Sequence, residues 1–224
     1  MVCIQSVEEV GMDTKKIKPL TLALCTGFIC ASDYLLRMAF EQMHLPSYAG
    51  LGLIRLIQIT AVIALVFGCE KTLHGIGLAK DHTLKGFQKG LLWSFLFGLT
   101  ASAGFLVLKL SGINPFRLVR TWLPGNTMDR VFFFIAGGLI APVAEELFFR
   151  GLVFGFLRQW GFLVALLLST GIFVMIHPLS SGIPVPQIVG GLLFATCYEI
   201  EKSLWAPIVI HATGNMALFT LSLL

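Results

Sequence analysis

Residues 140–154 read IAPVAEELFFRGLVF, with Glu145, Glu146 and Arg150 standing inside an otherwise uninterrupted apolar run. At the centre of a membrane-spanning helix each charged residue costs about 2.5 to 3.5 kcal/mol, so three left unpaired would cost on the order of 8 to 10 kcal/mol. The run therefore predicts partners at its own depth. The candidates are His177, His211 and Asn215, each within or at the end of another apolar run. Ionisable groups at membrane depth mark functional sites by default.

The rest of the chain reads the same way. Its 224 residues are 56% hydrophobic and only 12% charged, with mean hydropathy +0.86, too little polar surface to cover a soluble globule. The apolar stretches are long, continuous and rich in Leu, Phe, Ala and Gly, whereas a β-barrel needs short segments of alternating polarity. The expected fold is an all-α polytopic transmembrane helical bundle of about seven spans, near residues 19–40, 50–69, 90–110, 131–157, 161–178, 186–200 and 204–223. A span needs roughly 17 to 25 apolar residues, so the sixth fits a tilted or partial crossing. Residues 1–18 read as a cytoplasmic tail and 19–224 as one helical domain with a catalytic core at about 131–220.

Lys and Arg set the expected orientation. An N-terminus inside puts the basic tail, the 70–89 connection, Arg158 and Lys202 on the cytoplasmic side of the cell membrane, opposite the uncharged loops near residue 45 and at SSGIPVP (180–186). The 111–130 loop, with Arg117, Arg120 and Arg130, is the exception. The 71–90 stretch, mixing Lys and Gly with isolated apolar residues, reads as an interfacial segment. Asp33 and Arg37, spaced i, i+4, and Arg55 in the second run read as a helix pair or as snorkelling side chains. Cys3, Cys25, Cys30, Cys69 and Cys197 show no CxxC spacing and read as small apolar residues.

On a helix Glu146 and Arg150 share a face, acid before base, while Glu145 points about 100° away. The two carboxylates therefore suit different tasks: Glu146 neutralised by Arg150, Glu145 free to face a polar cavity. A bland alternative is one buried ion network that locks helices together. With a tight turn near Gln159–Gly161, both Glu145 and His177 lie roughly 21 to 24 Å from it, so antiparallel neighbours bring carboxylate and imidazole to one depth. That pair suits general base activation of water. His211 and Asn215 share a face at i, i+4, and a neutral imidazole N–H with an amide can hold an oxyanion. Counted from Lys202, however, His211 rises only about 13 Å, which requires either a sixth helix that ends deep or tilted helices.

These residues carry a family resemblance. EELFFR (145–150), FVMIH (173–177) and HATGN (211–215) resemble, in order, the EExxxR, FxxxH and HxxxN motifs of the CAAX protease and bacteriocin-processing family. The resemblance covers about residues 131–220. It implies a glutamate-dependent intramembrane endopeptidase in which Glu145 and His177 activate water and His211 and Asn215 stabilise the oxyanion. Glu146, Arg150 and Phe173 match the motifs as supporting residues. The partners so implied are the lipid bilayer and a membrane-associated peptide or protein substrate, with no cofactor and no nucleic acid. Competing readings are a zinc-dependent membrane protease using the same residues, though no HExxH is present, and a non-catalytic immunity or scaffold protein. A transporter ranks behind these, for want of an internal repeat.

Overall fold

Asn126 starts the helix that holds the quoted stretch. Its side-chain oxygen accepts the backbone N–H groups of Met128 and Asp129, and Asp129 adds negative charge to the first turn. From there Thr127–Trp160 runs without a break and is one of the helices long and apolar enough to cross a membrane. The computed structural model describes residues 17–43, 47–79, 83–177 and 183–223. The tail to residue 16 with Cys3, the loop near residue 45 and part of SSGIPVP lie outside the described residues.

Among the described residues there is no strand. The main helices are α1 (Pro19–Met43), α2 (Ser47–Glu70), α3 (Thr83–Leu110), α4 (Thr127–Trp160), α5 (Phe162–Ile176), α6 (Val185–Glu201) and α7 (Trp205–Leu221). They follow the seven apolar runs, but only four, α1 to α4, have the length and composition of a span. Among the described residues these four are the candidate spans, and the expectation of about seven is not confirmed. The 15 residues of α5 and the 17 each of α6 and α7 measure about 22 to 26 Å, short of the roughly 30 Å hydrocarbon core.

Close approaches fix the register of the bundle. Tyr48 meets Phe133 edge-on at 5.5 Å, and a β-carbon on Gly52 would lie 3.3 Å from that of Ala136, so α2 runs alongside α4 in the same direction. Gly161, at φ +103°, turns the chain from α4 into α5.

The α6–α7 turn sits deeper. Leu204 N–H donates to Gly77 O at 3.0 Å, and Ile76 would lie 3.3 Å from a β-carbon on Gly151. The turn is thus level with Gly151, about ten residues (~15 Å) into the bundle from Gly161. His211, seven residues on from Leu204, and Glu145, six residues back from Gly151, each rise about 9 to 11 Å from that level. The depths agree because the sixth helix ends deep. In consequence the stretch read as interfacial is partly interior: Ile76 is fully buried and Ala79 is buried.

Asp33 takes its partners across the helix pair, from Arg55 Nη1 at 3.3 Å and Gln58 Nε2 at 3.0 Å. The side chain of Arg37 lies outside what is described. Cys25, Cys30, Cys69 and Cys197 are free thiols.

Candidate active site

Helix α4 changes its winding around the charged residues. Ala136–Ile140 and Leu147–Phe154 are π-helical, and only Ala141–Glu146, which ends on the two glutamates, is α-helical between them. Such wide turns concentrate at functional sites, since they free backbone groups and re-aim side chains. Pro142 shows the local cause. In the π register its nitrogen would bond Gly137 O, but proline has no N–H to give. Asn215 Nδ2 donates to Gly137 O instead, at 2.9 Å.

Glu146 and Arg150, both with side chains at most 1% exposed, pair at 3.0 Å as their spacing predicts. A buried pair is costly unless further hydrogen bonds and contacts take up its groups, and Glu146 Oε2 and Arg150 Nε are buried without a hydrogen-bond partner among the described residues. Here Arg150 Nη2 also donates to Gly191 O at 3.2 Å, and the guanidinium lies 4.9 Å from the Phe173 ring centre, 5.3 Å from Phe194 and 5.9 Å from Phe149. An aromatic cage of this kind stabilises a desolvated cation. Gly191 permits the approach, because a β-carbon there would lie 2.6 Å from Thr170 Cγ2.

Glu145 points elsewhere, as the 100° step requires. Its Oε2 lies 3.8 Å from His177 Nε2 and 3.7 Å from His211 Nε2, and this buried oxygen has no hydrogen-bond partner among the described residues. Both imidazoles are oriented from behind. His177 Nδ1 donates to Phe173 O at 2.7 Å, and His211 Nδ1 donates to Glu146 Oε1 at 2.7 Å. With each Nδ1–H committed, a neutral ring presents its Nε2 lone pair toward Glu145. Phe194 stacks on His211 at 4.6 Å and 23°, and Phe173 lies against His177 at 4.5 Å.

The fold thus brings Glu145, Glu146, Arg150, Phe173, His177 and His211 together. Asn215 stands one turn beyond His211 with one amide hydrogen spent on Gly137 O. Two relationships were not foreseen: the Glu146–His211 hydrogen bond, and the stacking of Phe194, for which GGLLF offers no signal. The neutral N–H of His211 expected to serve as a donor is the one Glu146 takes. Among the described residues no three His, Cys, Asp or Glu side chains are arranged as a metal-binding set.

No curated protein and no solved structure matches the chain. The segment that holds every residue of this site, 127–217, matches the family model described as type II CAAX prenyl endopeptidase Rce1-like.

Proposed function

We propose that this multi-pass membrane protein is a glutamate-dependent intramembrane endopeptidase that hydrolyses a membrane-associated peptide or protein. The family is one of proteases, and the observation that carries the mechanism is the convergence of two imidazoles on Glu145 Oε2 at 3.7 and 3.8 Å. A water held about 2.8 Å from each atom can span such separations. It donates one hydrogen to the Glu145 carboxylate and the other to His177 Nε2, which leaves its lone pair for the scissile carbonyl. Glu145 takes the proton as the C–O bond forms and returns it to the departing amine as the C–N bond breaks.

The oxyanion requires donors. The second amide hydrogen of Asn215 is one, and His211 Nε2 becomes another when the ring carries both protons. Glu146 and Arg150 then hold His211 in place from inside the bundle. The proposed setting is the cell membrane, with the N-terminus on the cytoplasmic side.

The test is cleavage. Purified protein in nanodiscs is incubated with membrane-anchored peptides and the products are identified by mass spectrometry. Hydrolysis by wild type and none by Glu145→Gln supports the proposal. A biological role that survives Glu145→Gln intact favours a non-catalytic membrane protein.

A further inference from the structure

The 111–126 connection between α3 and α4 runs against the charge pattern of the other loops, and the chemistry above makes no use of it. Its position follows from helix register. Gly86 packs on Ser203 and Trp205, Gly90 on Val209, and Ser94 Oγ meets Thr213 Oγ1 at 2.9 Å. Helices α3 and α7 are therefore parallel, and the end of α7 at Leu221 is level with about residue 102. The last turns of α3 rise roughly 12 Å beyond it. The loop then folds back, with Phe116 edge-on to Phe105 at 6.0 Å and Thr121 N–H donating to Ser222 Oγ at 2.9 Å. Phe219, near the end of α7, packs at 4.6 Å on Phe133, the residue that meets Tyr48 at the start of α2. The polar first turns of α2 (Ser47) and α4 (Thr127, Asp129 and Arg130) lie at this same end of the bundle.

A cavity of about 270 Å³ lies there, lined by Asn114, Phe116, Val119, Arg120, Leu221 and Ser222. Its surroundings are cationic: no Asp or Glu occurs between Thr83 and Met128, while Lys109, Arg117 and Arg120 do. Arg130, by contrast, spends its guanidinium on Pro124 O and Gly125 O. Beside the cations the loop exposes apolar side chains, Trp122 at 72% and Ile113 at 52%, as a segment seated in the interface does.

We propose that the 111–126 loop and the end of α7 bind the headgroup of an anionic phospholipid from the adjoining leaflet. Arg120 meets the phosphate at the cavity, Arg117 and Lys109 add to the attraction, and Trp122 and Ile113 rest at the acyl boundary. The planar guanidinium fork suits a phosphate. The excess positive charge on this face then has a partner in the membrane itself. The proposal does not depend on proteolysis.

The experiment is native mass spectrometry of the full chain in detergent, titrated with phosphatidylglycerol or phosphatidylcholine at low ionic strength. Wild type is expected to retain phosphatidylglycerol preferentially. Each basic residue near a membrane surface contributes roughly five-fold to anionic-lipid affinity, so the Arg117→Gln/Arg120→Gln double variant should lose about 25-fold. Lys85→Gln, at the other end of α3, should change nothing. Melting without lipid checks the fold, and if the double variant is unstable each single variant should show its own loss of about five-fold. Excess inorganic phosphate should not displace the lipid. Equal retention of the two lipids, an unaffected arginine variant, an equal loss from Lys85→Gln, or displacement by phosphate would each overturn the proposal.

Discussion

His211 Nδ1 lies 2.7 Å from Glu146 Oε1, the same oxygen that Arg150 Nη1 approaches at 3.0 Å. One buried carboxylate therefore anchors both a cation and an imidazole, and under the proposed mechanism it decides which nitrogen of His211 faces the substrate. Glu146→Gln should lower kcat by roughly 10- to 100-fold, the worth of a hydrogen bond to a charged group, and change KM little. Steady-state cleavage of one peptide by both proteins decides it, and an unchanged kcat removes Glu146 from the positioning of His211.

Arg150→Ala should act first on stability. It leaves the fully buried Glu146 without its cation, a loss of about 3 to 5 kcal/mol. Removing both partners strands neither charge, so a Glu146→Ala/Arg150→Ala protein should be less destabilised than the sum of the single variants. Thermal melts of the four proteins test this. A stable Arg150→Ala protein that binds substrate normally but turns it over slowly would put Arg150 in the catalytic machinery instead.

Glu145→Gln and His177→Ala should each reduce cleavage by at least 10²- to 10⁴-fold, the usual contribution of general base catalysis, while the protein still inserts and folds. Both side chains are partly exposed, at 20% and 24%, and neither is in the Arg150 cage. Near-normal turnover by either purified variant is incompatible with the assigned roles. Fluorescence-detected size exclusion distinguishes a lost active site from a lost fold.

Much of this site was legible because its geometry is local. Glu145 and His177 sit on consecutive helices joined at Gly161, so counting residues from one turn predicts their equal depth, and they stand 3.8 Å apart. The ordered motifs lie inside the matched segment for the same reason: each is a short run on one helix. The depth of His211 could not be counted, because the α6–α7 turn is held by Gly77, more than 120 residues away, whose neighbour Ile76 packs on Gly151, within a stretch whose mixed composition suggests an interface. The π-helical turns were hidden as well. Only Pro142 hints at them, through a carbonyl it cannot serve. The count of about seven spans is not confirmed, because it was read from apolar composition, whereas α5 to α7 are shorter than a full crossing needs.

Chelation separates the glutamate mechanism from a zinc one. The two imidazoles donate from Nδ1 to a backbone carbonyl and to a carboxylate, a pattern that also supports metal-binding histidines, although no three such side chains among the described residues are arranged as a metal-binding set. If Glu145 itself accepts the proton of the water, stripping divalent ions leaves cleavage unchanged. If a zinc ion lowers the pKa of that water, activity is lost with the ion. The measurement is exhaustive chelation of the purified protein, elemental analysis to establish that no stoichiometric metal is left, and assay of a cleavable membrane peptide. Unchanged activity is the expected result. Loss that Zn²⁺ specifically restores would replace the general-base role of Glu145 with that of a ligand.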